Sequence, residues 1–470
     1  ILYLYRSLAP ILWPWEDLVR RLEAPGERTV AADLSRYVRH YLLLSACIWV
    51  AVAPVTAYHF NRLSLLAPLL NLLIWPLVLL LTLSSFLLAA SAFLGGLLTG
   101  VFVALGGFLS GCIEDVLLAG SMLPGFVLHG AGPPLWWVVG FYAVLSVWVL
   151  RTRVRGARVL WARVLFLAGV VALGGGYLGM EAAGRRTDRL NVVVADVGHG
   201  QCVVLRLPSG PVILYDAGAV SWRSAEAVAE ILWDARARRV QVLAVSHRDF
   251  DHCSFIPYLA RRFRIGRAVI PPVAAPHSEL DLDEALGRLD LMRTLMREGD
   301  VIGGDGLECV ALHPDDRFLG EPTMTDNERS LVMLCKYGPW RMLMTGDVQV
   351  HALRRLAADY GPSVDVDVLL LPHHGAWTDG LREAIEGFRP RVAIASCEGP
   401  VNEKTEELLR RMGVPLWTTA AHGAMTMELS DTSLTLTGYR SGASMRLTPR
   451  DAPPRLDAMP MSPGQREAPP

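Results

Sequence analysis

Apolar positions crowd the chain before about residue 185 and thin out after it, where short β-branched runs take turns with polar and amphipathic stretches. In the first part, segments 41–60 (YLLLSACIWVAVAPVTAYHF), 63–92, 95–118 and 134–150 are long and apolar enough to cross a hydrocarbon layer about 30 Å thick. A fifth segment, 161–180, is rich in glycine and uncharged after Arg163. The segment 63–92 exceeds one crossing and carries Pro76, which predicts a kinked or re-entrant path.

Arginines set the expected orientation. Arg20, Arg21, Arg28, Arg36 and Arg39 precede the first full span, and Arg151, Arg153, Arg155 and Arg158 separate the fourth from the fifth. The loop 119–133 has none. One crossing per segment puts both basic stretches on one face. Basic loops stay cytoplasmic, so everything beyond residue 185 is expected outside. A double crossing by 63–92 would invert this. Glu114 and Asp115 read as an interfacial carboxylate pair at the end of the third span, with a pore-lining role as the alternative. Trp136, Trp137 and Tyr142 read as an interfacial aromatic belt.

From residue 190 the stretches LNVVVADVG, CVVLRLP, GPVILYDAG, VQVLAVSH, AVIPPV, LECVALHP, RSLVMLCKYG, WRMLMTGD, VDVLLLPHHG and RVAIASC predict strands. Helical patterns occupy 222–238, 253–263, 280–297, 348–359, 378–387 and 403–412. Strands come in antiparallel bursts as well as alternating with helices. That mixture predicts two mixed sheets with helices outside, not one doubly wound sheet. The expected domains are a multi-span α-helical membrane domain over 1–185, a two-sheet domain over 190–440 and a Pro-rich disordered tail over 441–470. The chain begins with isoleucine inside an apolar stretch, ILYLYRSLAPILWPW, which predicts a truncated or mis-started reading frame with no signal peptide to interpret.

Composition sharpens the division. Mean hydropathy is +0.32, with 52% hydrophobic and 19% charged residues, too apolar for an ordinary soluble enzyme. A formal net charge of −1 supplies no global attraction for nucleic acid, so such a partner needs a local basic patch. Seven cysteines without a CxxC pair exclude a disulfide framework and a cysteine-held zinc, and leave one isolated pair in the soluble half open.

The chemistry gathers at strand ends: YDAG (Asp216), SHRDFDH (His247, Asp249, Asp251, His252), MTGD (Asp347) and PHHG (His373, His374). Asp216 alone reads as a turn residue. His-x-Asp-x-Asp-His does not, because the mutual repulsion of Asp249 and Asp251 has to be offset, and divalent cations do that directly. The first pair would serve one ion and Asp251 with His252 a second. Asp347 would bridge them, and His373 or His374 would complete the second site.

In the order DVGxG, DAG, SHxDxDH, TGD and PHHG, the chain resembles the metallo-β-lactamase superfamily of αββα hydrolases, and more narrowly the outer domain of ComEC-type DNA-uptake channels. The membrane half carries a similar likeness: 53–81 (APVTAYHFNRLSLLAPLLNLLIWPLVLLL) matches that family's membrane signature at His59, Phe60, Asn71 and Pro76. NERSLVMLCKYGPWRMLMTGD at 327–347 resembles its NxxS…TGD segment. The chain departs from the family pattern at Cys253, Ser254 and Phe255, where glycines are usual, at Gln201, at Ala376, and in GPVNEKTEE near 400. The family's earlier spans and small β-barrel domain have no counterpart here.

The resemblance implies a multi-pass protein of the bacterial inner membrane, its hydrolase domain extracytoplasmic. It implies metal ligands at His247, Asp249, Asp251, His252, Asp347 and His373, catalytic roles for Asp251 and His374, and two divalent ions, Mn or Zn. Exogenous DNA would be the substrate: one strand imported, the other hydrolysed at its phosphodiesters by the outer nuclease. Membrane lipid and other competence proteins are the further expected partners. Two alternatives are a membrane-tethered metallo-hydrolase of another phosphodiester, and a channel whose outer domain binds DNA without catalysis.

Overall fold

The computed structural model describes residues 1–14, 30–91, 97–121, 123, 127–150, 157–183, 187–237, 239–273 and 282–450. They fall into two compact units, Ile1–Glu181 and Ala182–Pro470. The expected tail at 451–470, Arg20, Arg21, Arg28, Arg151, Arg153, Arg155 and the side chain of Arg158 lie outside the described residues.

The first unit is helical: Leu2–Leu12, Val30–Phe60, Ala67–Ser91, Leu97–Ser121, Leu135–Leu150 and Ala157–Ala183. Among the described residues, four stretches are long and apolar enough to cross a membrane: Asp33–Phe60, Ala67–Ser91, Thr99–Gly120 and Leu160–Gly179. The expected span at 134–150 is a helix of 16 residues. At 1.5 Å per residue it measures about 24 Å, short of a core about 30 Å thick. The segment 63–92 is neither split nor re-entrant: after the short strand β1 (Arg62–Ser64), paired antiparallel with β2 (Val127–His129), it is one continuous helix containing Pro76.

Polar groups in an apolar surrounding must find partners within the protein. Asn71 Nδ2 donates to Ser45 Oγ (3.0 Å), Tyr142 Oη to the Ala51 carbonyl (2.6 Å) and Trp137 Nε1 to the Leu173 carbonyl (3.2 Å). Trp137 and Tyr142, expected in an interfacial belt, therefore tie helices to one another. Trp136, Glu114 and Asp115 are exposed in this unit.

The described residues of the second unit form sixteen strands in two sheets. They are β3 (Leu190–Val194), β4 (Gly200–Arg206), β5 (Val212–Ala219), β6 (Arg239–Ala244), β7 (Arg264–Ile270), β8 (Arg293–Leu295), β9 (Val301–Gly304) and β10 (Leu307–His313), followed by β11 (Val332–Tyr337), β12 (Trp340–Met344), β13 (Val368–Leu370), β14 (Val392–Ala395), β15 (Leu416–Thr418), β16 (Met425–Leu429), β17 (Leu434–Gly438) and β18 (Ser444–Leu447). One sheet runs β18-β17-β16-β3-β4-β5-β6-β7-β8, the other β15-β14-β13-β12-β11-β10-β9. Each changes from antiparallel to parallel pairing within itself, the first at β5–β6 and the second at β12–β13.

Alternation explains the stacking. Leu190, Val192 and Val194 of β3, Met425, Met427 and Leu429 of β16, and Leu434 and Leu436 of β17 point one way, into a shared core with Met342, Met344, Val368 and Ile394 of the other sheet. Each outer face is covered by helices. Ser224–Asp234, Ile256–Ala260 and Leu282–Arg288 close one. Val350–Tyr360, Leu381–Phe388 and Glu403–Arg411 close the other. In Leu381–Phe388 the buried residues are Leu381, Ala384, Ile385 and Phe388, the i, i+3, i+4, i+7 stripe of a one-faced helix. The architecture is αββα.

Two segments differ from expectation. Among the described residues, the helix expected over 280–297 runs over Leu282–Arg288; Asp290, at φ +51, turns the chain, and Arg293–Leu295 joins β7 as the parallel edge strand β8. Beyond residue 440, β18 pairs with β17, so sheet structure continues into the first residues of the expected tail. Cys309 on β10 and Cys335 on β11, directly opposite and fully buried, form a disulfide.

Candidate metal centre

Parallel strands of both sheets end at one place, and their polar C-terminal residues meet there. β5 carries Asp216 in its second half, β6 leads to Ser246 and His247, β12 to Asp347, β13 to His373 and His374, and β14 to Ser396. The loop after β6 must lie against β5 to deliver the rest. Gly218 permits that approach: a Cβ there would sit 2.5 Å from Cys253 N and 2.6 Å from the carbonyl carbons of Asp251 and His252. Gly346, at φ +55, likewise lets the β12 end meet Ser246, whose Cβ would stand 2.8 Å from an added one.

The donors converge. His252 Nε2 stands 3.3 Å from Asp347 Oδ1 and 3.8 Å from Asp251 Oδ2. His374 Nε2 is 3.4 Å from Asp251 Oδ2 and 3.7 Å from Asp347 Oδ2. His247 Nε2 lies 3.3 Å from Asp249 Oδ2. His247, His252 and Asp347 form one group whose ligand atoms lie within 4.8 Å of one another, and His199, Asp251 and His374 form another.

Each buried imidazole is held from behind. His252 Nδ1 donates to Asp216 Oδ2 (2.9 Å), itself fully buried. Ser246 Oγ donates to the same carboxylate (2.9 Å) and so accepts from His247 Nδ1 (3.0 Å). His374 Nδ1 donates to the Ser396 carbonyl (3.0 Å). A proton fixed on Nδ1 leaves the Nε2 lone pair facing the centre, the tautomer in which histidine binds a cation. Three such Nε2 atoms, of His247, His252 and His374, together with Asp347 Oδ1, are buried and make no hydrogen bond. Buried polar atoms seldom stay unpaired. These residues therefore fit divalent cations, whose charge satisfies lone pairs from nitrogen and carboxylate together.

The electrostatics agree. Burial by itself pushes the Asp251 carboxyl up, but the neighbouring imidazoles of His374 and His252 hold it down at about 2. Asp347 lies below the ordinary carboxylate range, the imidazoles of His252, His247 and His374 outweighing its burial. The adjacent imidazole of His247 holds Asp249 low. Burial disfavours a charged His252, yet Asp347 and Asp216 together raise it well above an ordinary histidine.

His373, read from sequence as a ligand, is the more exposed of the pair, its Nε2 3.9 Å from Asp347 Oδ2. His374, read as catalytic, is the buried one. Both backbones are left-handed, at φ +50 and +55, a conformation that clusters at functional sites. Asp216, read as a turn residue, is the positioning carboxylate of His252. Gln201 suits it: Nε2 donates to Asp216 Oδ2 (3.0 Å), where an acidic residue would set two carboxylates together. Cys253, Ser254 and Phe255 have other work: Ser254 Oγ clips the Ala219 backbone and Phe255 is fully buried in the outer core. Sequence reasoning missed His199. Its motif was legible only through its glycines.

The αββα domain and its histidine–carboxylate cluster define the class: residues 195–399 match the model of the metallo-beta-lactamase superfamily, whose members are typically hydrolases and whose fold implies divalent metal binding. Residues 2–155 match the Competence protein family. Carrying both domains in this order, the chain belongs to the ComEC-type competence proteins. It is 26% identical over 382 residues to Competence protein ComA of Neisseria gonorrhoeae, covering 79% of this chain and 49% of that protein. It is 24% identical to ComE operon protein 3 of Bacillus subtilis, over 50% of this chain and 32% of that one. Recombination protein 2 of Haemophilus influenzae is 30% identical over 43% of this chain and 23% of its own length. The chain thus spans half or less of the length of these relatives.

Proposed function

We propose that the chain is part of a DNA importer whose second unit is a metal-dependent nuclease on the extracytoplasmic side of the bacterial inner membrane. There it hydrolyses the strand that is not imported while the other passes through the membrane. One observation carries the reading: three buried imidazole nitrogens and a carboxylate oxygen, all without hydrogen bonds, converge in a chain that also has a Competence membrane domain. The Cys309–Cys335 bridge supports the extracytoplasmic side, because disulfides form and persist in oxidising compartments; the arginines support it only if Leu135–Leu150, short as it is, also crosses.

The ions, Mn or Zn, would be held by His247, Asp249, His252 and Asp347 at one position and by Asp251 and His374 at the other. When bound they supply Lewis-acid polarisation of a phosphodiester and activation of the attacking water. The chain's own residues do the rest. Asp216, Ser246 and Ser396 hold the three imidazoles in one tautomer. Asp251 and Asp347 stay ionised at neutral pH and so keep the centre anionic. His373, half-exposed at the rim, would be the residue that hands a proton to the leaving oxygen. At 253–255, whose departure from the family pattern would favour a non-catalytic DNA-binding module, Cys253 Sγ reaches the Asp249 carbonyl (3.2 Å), Ser254 clips the Ala219 backbone and Phe255 fills the outer core, so the departure leaves the donors in place.

Full-length protein in detergent, given Mn2+ or Zn2+ and end-labelled single- and double-stranded DNA, tests the nuclease. Cleavage should vanish with chelator and fall at least a hundredfold in His252→Ala. Equal rates in variant and wild type would sink the nuclease. Cells lacking the gene should lose transformation by exogenous DNA; normal uptake would sink the import role and leave a tethered hydrolase.

A further inference from the structure

His199 lies in the short loop between β3 and β4, outside every strand-end motif that brings in the other donors. Its backbone is pinned to the centre from several sides. The His199 carbonyl accepts from Val220 N (2.9 Å), just past β5. The next residue, Gly200, is at φ +147, and a Cβ there would stand 2.4 Å from Ala219 Cα and 2.8 Å from the Asp251 carbonyl oxygen. The Gly200 carbonyl accepts from Ser396 Oγ (2.7 Å), and the Ser396 carbonyl holds His374. One serine therefore fixes both the loop of His199 and the ring of His374.

The side chain follows. His199 Nε2 is 3.6 Å from Asp251 Oδ2, its ring centroid is 5.0 Å from that of His374, and His374 Nε2 is 3.4 Å from the same Asp251 oxygen. Ligands about 2.1 Å from a tetrahedral ion stand roughly 3.4 Å apart. The separations to Asp251 match that figure without movement of the backbone. An exposed histidine beside a carboxylate can be a surface ion pair, but such a pair needs neither the second imidazole nor the pinned loop. We propose that His199 is a ligand of the second cation position, with Asp251 and His374, and that it tilts this position toward zinc. Two imidazoles and one carboxylate suit Zn2+, whereas a carboxylate-dominated set suits Mn2+. The proposal rests on the metal-centre reading above and adds to it a residue that the strand-end pattern does not supply.

The test is a metal titration of the full-length chain in detergent, by equilibrium dialysis against buffered Zn2+ and, separately, Mn2+, with bound metal read by mass spectrometry. Wild type, His199→Gln and His199→Asn are compared, each first shown by circular dichroism to melt as wild type does without metal; half-exposure of His199 makes both substitutions tolerable to the fold. Both variants should weaken Zn2+ at one position at least tenfold, change Mn2+ by less than threefold, and leave the other position unchanged. In Co2+-loaded protein the visible absorption should shift as one nitrogen is lost. Wild-type Zn2+ affinity at both positions in both variants overturns the proposal. Asp347→Asn is the reference for the centre itself. If it loses metal while the His199 variants do not, only His199 is dismissed; if neither loses metal, the metal-centre reading fails with it.

Discussion

Changing Asp216 to asparagine alters one atom in a place with no room to adjust, and the consequence can be followed step by step. Oδ1 accepts from Ser246 N at 2.6 Å; Oδ2 accepts from His252 Nδ1 (2.9 Å), Ser246 Oγ (2.9 Å) and Gln201 Nε2 (3.0 Å). An amide supplies only one oxygen. The Ser246 backbone, the shortest bond and the least movable group, keeps it, so the NH2 faces His252. His252 must then accept at Nδ1 and carry its proton on Nε2, where the cation would bind. Asparagine thus preserves shape and removes the binding tautomer. Loss of a residue that orients a ligand costs about 10- to 100-fold in metal affinity, or about 1.4–2.8 kcal/mol. Isothermal titration of Zn2+ into wild type and Asp216→Asn reads this directly. Melting of the two proteins without metal separates a loss of affinity from a loss of fold. An asparagine variant that melts normally and binds zinc within twofold of wild type would refute the reasoning.

Burial holds His313 down at about 4, and its Nε2 donates to the Glu328 carbonyl at 2.6 Å. Its folded form is neutral, so its stabilisation is complete above pH 6.5 and drains away as pH falls from 6.5 toward 4. Two and a half pH units amount to about 3 kcal/mol; the advantage of wild type over His313→Gln in urea unfolding should shrink by that much between pH 7 and pH 4, and a constant difference would count against it. Replacing Cys309 and Cys335 together by alanine should cost about 3.5 kcal/mol, from a crosslink spanning 26 residues. In intact cells the pair should resist thiol labelling unless reduced; ready labelling of both by a permeant reagent, with no reductant, would speak against the bridge. Gly218→Ala should unseat the loop carrying Asp251 and His252, abolishing metal binding, since overpacking against backbone costs 1–3 kcal/mol or more; metal binding like wild type would show that the loop does not need that contact.

The site was legible where polar residues directly follow apolar runs. VQVLAV ends in SHRD and WRMLM in TGD, and a strand end has nowhere to send such side chains except a shared cleft. The strands β16 to β18 were missed because their outward positions carry Thr426, Glu428, Thr435, Thr437 and Arg446, which leave the average hydropathy low. Their pairing partner β3 is also more than two hundred residues away in the chain. The helix over 280–297 was overextended for the opposite reason: Leu289, Leu291 and Met292 continue a helical-looking pattern, and the exposed edge of β7 recruits Arg293–Leu295 as a strand. Asp216 and Gln201 could be seen as residues but not as partners, because hydrogen bonding across β4 and β5 leaves no mark on composition. His199 illustrates the same limit at a loop.

Because β5, β6 and the segment after them supply some donors, and β12 and β13 supply the rest, a cation lodged among them works as a cross-brace between the two leaves of the sandwich. Any ion that binds the folded form at a hundred times its dissociation constant adds about 2.7 kcal/mol of stability. Scarcity of divalent metal would then do more than slow a reaction: it would loosen the grip of one leaf on the other and leave the empty domain open to proteolysis.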